Sequence, residues 1–388
     1  MKKISFFGTF IAVLFVSCSE EGGGIVTPQN SSSSQEEDCT AGREKVNYSF
    51  ARKVNGFLGK GLNLGNGFDG NCSNAQNNGP NGTEPSGGWD NCWSNAIKQE
   101  YFSIMKEKGF QSIRLPVRWS TRAANESPYT INPAFTARVK EVVNQAINAG
   151  FPVIINIHHY DELTSATGAN LTREQEKFTE LWRQIAREFQ NYSNDSLVFE
   201  LLNEPRGSIR ATQLNQMAKN VWPVIRETNP GRVIMINPSE WGHFTNMQSV
   251  QVPDNDGLVI LSGHYYFPHE FTHQGMQDGS NRRPTGVSWG SSAERESLIK
   301  DVEGMADKLA CRFPDINGGS VPLNMGEFGS SVYSSDESRA AYNNALRASM
   351  EKYSMSWHYW CLTGCSFDAY NKSSGTWNEA VLKSLIPE

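Results

Sequence analysis

The sequence predicts an α/β protein built as a single (β/α)8 barrel, and three observations carry that prediction. Eight short apolar runs follow one another along the chain, most gaps between them carry a helical stripe, and nearly every run ends in a residue that is expensive to bury. The runs are GLNLGN at 61–66, QSIRLPVRW at 111–119, PVIINIHH at 152–159 and LVFELLNEP at 197–205, then RVIMINPSEW at 232–241, GLVILSGHYY at 257–266, VPLNMGEFG at 321–329 and SWHYWCLTG at 356–364. Their apolar parts suit parallel strands covered on both faces.

The gaps hold NAIKQEYFSIMKEKG, NPAFTARVKEVVNQAINAG, TREQEKFTELWRQIAREFQ, LNQMAKNVWPVIRETNPG, ERESLIKDVEGMADKLA and SRAAYNNALRASMEKYS, each with apolar residues three and four apart. The fifth gap is short and its pattern weak. An open doubly wound sheet is the competing architecture. It normally carries a Gly-rich phosphate turn running straight into a helix, and GKGLNLGNG is not followed at once by one.

The 388 residues carry a net charge of -6 without a basic stripe, which argues against a nucleic-acid partner. At the N-terminus MKK precedes ISFFGTFIAVLFV, an apolar stretch too short to span a bilayer, and SCSE follows. Residues 1–18 read as an export signal. The ending resembles a bacterial lipoprotein signal with Cys18 as the acylated residue, although Phe15 stands where Leu is usual; an ordinary secretory signal is the alternative. Residues 19–45 are Gly-, Ser- and acid-rich and read as a flexible tether, leaving 46–388 for the barrel. Outside the cytosol the six remaining cysteines are expected to form disulfides, with Cys72–Cys92 stapling the polar loop they bracket. No CxxC pair or His-rich spacing supports zinc.

In a parallel barrel the C-terminal strand ends open onto one face, where active sites are built. Those ends carry Asn66, Arg114, His158 and His159, Asn203 and Glu204, His264 and Tyr266, Glu327, and Trp357 and Trp360. Singly, each has a plainer explanation: a strand arginine usually pairs with a core carboxylate, His264 fits a hydrogen-bonded core, and either Trp fits simple packing. Glu200, in mid-strand, is assigned to structure. Together they form a polar mouth with two carboxylates, Glu204 and Glu327. Metal ligation is one use of such a pair. Neighbouring Arg, Asn, Tyr and Trp suit sugar better, and glycoside hydrolysis needs two carboxyls across a small gap. Arg114 and Tyr266 are expected to hold Glu327 ionised, while Glu204, beside neutral Asn203 and an apolar wall, keeps its proton. Asn203 is placed to bond a sugar 2-hydroxyl, Pro205 to fix the exit of the chain, and Trp360 to stack on a pyranose.

These motifs, LLNEP, GEFG, IRLPVRW, NIHHYDEL and GHYYFPHEFTHQG, taken in order, resemble glycoside hydrolase family 5, and within it the bacterial endoglucanases that also accept mannan. The likeness runs from about Gly59 to Leu385, through the ending SGTWNEAVLKSLI. It implies a retaining, cofactor-free, monomeric (β/α)8 enzyme whose partner is a β-glucan. Glu204 would be the acid/base and Glu327 the nucleophile, set by Arg114 and Tyr266. His158, His159, Asn203, His264 and Trp360 would line the central sugar site, with Asn66 and Asp69 also near substrate. The chain departs from this pattern in three places. NCSNAQNNGPNGTEPSGGWDNC is inserted after the first strand, Asp278 stands where relatives carry an aromatic platform, and Asp69 is one methylene shorter than the expected Glu. An exported endo-β-1,4-glucanase is the leading expectation. A mannanase, xyloglucanase or mixed-linkage glucanase with the same machinery, and a catalytically silent glycan-binding lipoprotein, are the alternatives.

Overall fold

A computed structural model of the protein describes residues 39–387. The export signal with Cys18, and the tether up to residue 38, lie outside the described residues. Eight parallel strands close into a barrel: β1 (Lys60–Asn63), β2 (Ser112–Leu115), β3 (Val153–Asn156), β4 (Leu197–Glu200), β5 (Ile234–Ile236), β6 (Val259–Tyr265), β7 (Leu323–Phe328) and β8 (Ser356–Tyr359). Each lies beside its neighbours in sequence, and β8 closes the ring on β1 through the register Gly61–His358. All eight expected strands are present. Most are shorter than the apolar runs that announced them, because the polar C-terminal residues of each run belong to the mouth loops.

Amphipathic helices wrap the barrel where the sequence places them: α2 (Glu100–Glu107), α3 (Pro133–Asn148), α4 (Gly168–Glu188), α5 (Ala211–Thr228), α6 (Ser292–Arg312) and α7 (Asp336–Lys352); after β8 the chain adds α8 (Glu379–Leu385), which no helical stripe had marked. Their starts follow local chemistry. The Asn132 side chain accepts from the backbone N–H groups of Ala134 and Phe135 ahead of Pro133, and Ser291 with Glu294 closes a capping box. The weak fifth gap holds 3₁₀ turns at Phe244–Ser249 and Pro253–Asn255 instead of a full helix.

Two short helices, Asp161–Ser165 and His269–Thr272, and a longer one at the barrel base were likewise not anticipated. α1 (Ser49–Leu58) precedes β1 and closes the floor of the barrel. Its Ala51, Val54 and Leu58 pack with Ile154, Val198, Met235 and Ile260 of β3 to β6 in an apolar cluster separate from the main core. The flanking residues Val153, Ile155, Leu197 and Phe199 belong instead to the outer core under the helices. Strand side chains alternate, so the residues two positions beyond the floor set also face inward. These are Asn156, Glu200, Asn237 and Ser262, all buried. The barrel interior is thus apolar at its base and polar toward its C-terminal mouth. Cys72–Cys92 and Cys361–Cys365 are joined, and Cys39 and Cys311 are disulfide-bonded as well, in keeping with the expectation for an exported chain.

Because Leu58 is fully buried in the floor cluster, Leu58→Ala is expected to destabilise the protein by about 2–4 kcal/mol, whereas Phe57→Ala, at an exposed neighbour, stays within about 0.5 kcal/mol. Urea unfolding of the two variants checks the difference.

Candidate active site

Arg114 stands at the centre of the polar layer with no exposed surface. The β1–β2 register sets it opposite Asn63, whose Oδ1 accepts from Nη1 at 2.9 Å. Nε and Nη2 make a two-pronged pair with the Glu200 carboxylate at 2.6 and 2.8 Å. Nη1 also donates to Glu327 Oε1 at 2.6 Å, and Nη2 to Asn203 Oδ1 at 2.7 Å. Glu200 is held from a further side by Asn237 Nδ2 at 2.7 Å. The plain reading of a strand arginine paired with a core carboxylate therefore holds, and the structural assignment of Glu200 with it. The same guanidinium also reaches one of the two mouth carboxylates.

Glu327 is buried and both its oxygens are engaged, Oε1 by Arg114 and Oε2 by the Tyr266 hydroxyl at 3.0 Å. Burial pushes the Tyr266 phenol well up, so it stays a donor. Glu204 sits three residues beyond Leu201, where the chain leaves β4, with φ +44. A non-glycine residue in the left-handed region costs roughly 1–2 kcal/mol. That turn swings the carboxylate off the barrel wall and toward the mouth, where its side chain keeps 19% exposure against 6% for Glu327. His264 Nδ1 links the two acids, 3.0 Å from Glu204 Oε1 and 3.7 Å from Glu327 Oε2, and one carboxylate oxygen of each lies within 4.8 Å of the other.

This contact reverses the expected electrostatics. Burial pushes Glu204 up, but the hydrogen bond and charge of His264 outweigh it and hold the carboxyl below the usual range. Glu327 is raised, since burial exceeds the pull of His264 and Arg114. The wall beside Glu204 is an imidazole, not an apolar surface. His264 is itself raised: burial lowers it, and the two carboxylates more than compensate.

On the other flank, His158 stacks on Trp360 with ring centroids 5.6 Å apart and planes 3° from parallel. Trp360 remains part-exposed, while Trp357 is buried against Phe328 and is simple packing. His158 Nε2 and His159 Nε2 approach Asp69 Oδ2 at 3.9 and 4.0 Å. Desolvation lowers both histidines, His159 to about 4, so they are neutral near pH 7. Asp69 is fully buried with no side-chain partner on either oxygen among the described residues, and burial pushes its carboxyl up to about 7 against the pull of the Asn66 and Asp69 backbone N–H groups. Asn66 lies past β1, where its Nδ2 donates to Gly364 O at 2.8 Å and braces the loop after β8. Asp278 is exposed on a hairpin and pairs with Arg283 at 3.0 Å.

A cavity of about 650 Å³ opens beside Glu204, lined by Trp241, His243, Phe267, His269 and Arg283 among others. The structure thus gathers Glu204, Glu327, Arg114, His158, His159, Asn203, His264, Tyr266, Asp69 and Trp360 at one mouth. Asn63, Asn237 and the cavity wall at Trp241 and His243 escaped the sequence reading. The available signal for the first two was an amide at an inward position of an otherwise apolar strand.

Residues 70–366 match the cellulase family, glycosyl hydrolase family 5. Endoglucanase H of Acetivibrio thermocellus is 30% identical over 303 residues, which is 77% of this chain and 31% of that protein. The chain therefore spans less than a third of that relative. Endoglucanase B of Clostridium cellulovorans is 29% identical over 319 residues, covering 76% of this chain and 69% of it. A hyperthermophilic endo-β-1,4-glucanase solved with substrate superposes at a TM-score of 0.76 with 32% identity, over 87% of this chain and 99% of its own. Thermotoga maritima Cel5A in complex with mannotriose superposes at 0.74 with 33% identity, over 87% of this chain and all of its own. The match runs from the loop after β1 to the loop after β8 and takes in Arg114, Glu204, His264 and Glu327, and on it the chain belongs to glycoside hydrolase family 5.

Proposed function

We propose that the protein is an exported, retaining endo-β-1,4-glucanase in which Glu327 is the nucleophile and Glu204 the acid/base. The observation that carries this is the pair of carboxylates bridged by His264 within 4.8 Å of each other. Retaining glycosidases hold their two carboxyls about 5–5.5 Å apart, and inverting ones leave room for a water between them. Endoglucanase relatives and the substrate-bound endo-β-1,4-glucanase neighbour support the glucan, and the disulfides support export. The neighbour bound to mannotriose brings β-mannan in as a second polymer for the same site.

The roles follow from the surroundings. Glu327 has both oxygens fixed by donors and sits deeper, so it presents a positioned lone pair to an anomeric carbon. Glu204 faces the cavity into which a leaving sugar would pass. A bound chain covers Glu204 and removes its remaining water, which favours the neutral carboxyl. The proton then passes along the 3.0 Å hydrogen bond from His264 Nδ1 to Glu204 and on to the glycosidic oxygen as Glu327 attacks. In the second half Glu204 takes a proton from water, which opens the glycosyl ester. Arg114 turns Asn203 Oδ1 inward and leaves its NH2 as the donor to a 2-hydroxyl. Trp360 stacks on the ring, and His159, with Asp69 and His158 buried behind it, receives a hydroxyl further along.

Glu327→Ala and Glu204→Ala are each expected to lower turnover on carboxymethylcellulose by about 10³-fold or more. Azide separates the roles on an activated aryl β-glycoside. The Glu327 variant should give the α-glycosyl azide and the Glu204 variant the β-anomer, and the reverse pattern would exchange the assignments. The pH profile of kcat/KM should be bell-shaped. Its acidic limb lies above 4.5, since Glu327 must ionise from a raised value, and its basic limb above 6.5, where the raised His264 loses the shared proton. An acidic limb at or below 4.5 would contradict the raised value of Glu327.

Asp69 makes a separate prediction. Its folded value of about 7 exceeds its ordinary 3.8, so between those values the folded chain binds more protons than the unfolded one. Stability from this group is present at acid pH and is lost as pH rises toward 7. Asp69→Asn should therefore gain in melting temperature relative to the natural protein as pH goes from 4 to 8, by an amount on the order of several degrees. A gap independent of pH in paired thermal scans would refute this.

A further inference from the structure

We infer that Trp93, held by the Cys72–Cys92 loop, is a sugar-stacking platform beyond the sugar over Trp360 and sets how tightly longer oligomers bind. The inference rests on the glucanase reading and extends its site outward.

The inserted loop after β1 is polar, and such loops ordinarily sample many conformations. This one is pinned along its length. Cys72 and Cys92 join its ends, and Arg122 Nη2 lies 3.1 Å from both sulfurs. Inside it, Gly79 N–H donates to Thr121 O at 2.8 Å, Asn77 Nδ2 to Thr83 O at 2.8 Å, and Asn132 Nδ2 to Gly82 O at 2.9 Å. Immediately after the staple, Lys372 Nζ donates to Ser94 O, and Asn95 Nδ2 bridges Gly65 O and Thr363 O, each at 2.8 Å. The backbone on both sides of Trp93 is therefore fixed to the barrel mouth.

The loop's two tryptophans have opposite fates. Trp89 is 3% exposed and packs edge-on against Phe135, as a core residue does. Trp93, four residues on, is 41% exposed. Its ring is not loose: a Cβ added at Gly70 would come within 3.3 Å of both Trp93 Cγ and Cys92 Cβ, so the indole lies across bare backbone. A side chain with that much apolar surface, held rigid and left in water, gains nothing in folding from its exposed face.

Its position gives that face a use. Ring centroids trace a path from Trp360 to His158 at 5.6 Å, from His158 to His159 at 4.6 Å, and from His159 to Trp93 at 5.9 Å. Along this path the His159 ring keeps 26% of its surface exposed, with Asp69 and His158 buried behind it. An exposed aromatic plane at the outer end and a part-exposed imidazole before it suit a sugar chain, whose C–H faces stack and whose hydroxyls bond. The cavity beside Glu204 lies on the other flank of the carboxylates, so this path takes the part of the chain away from the leaving group.

The test is binding rather than turnover. In a Glu327→Gln background, the affinities of cellobiose through cellohexaose are measured by calorimetry. The affinity gained between cellobiose and cellohexaose should fall about tenfold with Trp93→Ala and be largely kept with Trp93→Tyr, whose smaller ring still stacks. The Cys72→Ser/Cys92→Ser protein, with Trp93 present but its support cut, should lose part of the same gain. An unchanged gain in Trp93→Ala would overturn the platform, and parental binding by the double-serine protein would overturn the role of the staple. A parent that binds none of these oligomers while folded would overturn the glucan reading and this inference together.

Discussion

The polar layer of this barrel depends on one buried cation. Arg114 has no solvent to hydrate it, and moving a bare guanidinium out of water costs several kcal/mol even after relaxation. Glu200 and Glu327 supply the compensating charge, and Asn63 and Asn203 occupy further N–H groups. Because the guanidinium is planar and rigid, every group bonded to it is fixed in direction as well as distance. Four strand ends are thereby brought into one frame: β1 through Asn63, β4 through Glu200 and Asn203, β7 through Glu327, and β2 through Arg114 itself. The two acids differ in what they owe this frame. Glu327 is part of it, whereas Glu204 touches it only through its neighbour Asn203 and through His264.

That asymmetry makes the pair chemically unequal. Two carboxylates in the same environment would share one proton symmetrically. Here one is locked by donors it cannot shed, and the other rests on an imidazole that gives and takes a proton near neutral pH. The residue that separates their roles is thus His264, which the register of β6 against β7 sets directly beside Glu327. The positive φ of Glu204 completes the arrangement by turning its carboxylate back toward that imidazole.

Much of this was legible in the sequence because it rests on one-dimensional patterns. Apolar runs mark the strands, and the change from apolar to polar inside LVFELLNEP and VPLNMGEFG marks where wall becomes mouth. Arg114, Glu204 and Glu327 stand out for the same reason, as charges where a strand should be apolar. What escaped depends on register between strands distant in sequence. Asn63 and Asn237 look like ordinary amides until their neighbours are known, and the His264–Glu204 contact spans sixty residues. α1 was missed because its apolar stripe is short and is needed only once the barrel floor exists to receive it. Nothing in the sequence sets Trp93 apart from Trp89 in the same polar insertion, since exposure is a property of the folded surface alone.

The spacing of the acids is inherited from the barrel itself. Glu204 leaves β4 and Glu327 lies on β7, so β5 and β6 stand between them and the circumference dictates how closely they meet. Rim segments can lengthen, acquire cross-links or exchange one aromatic for another without moving either strand. Anomeric stereochemistry is therefore written into the cylinder, and appetite for particular polymers into its fringe, so the second is free to drift while the first stays constant.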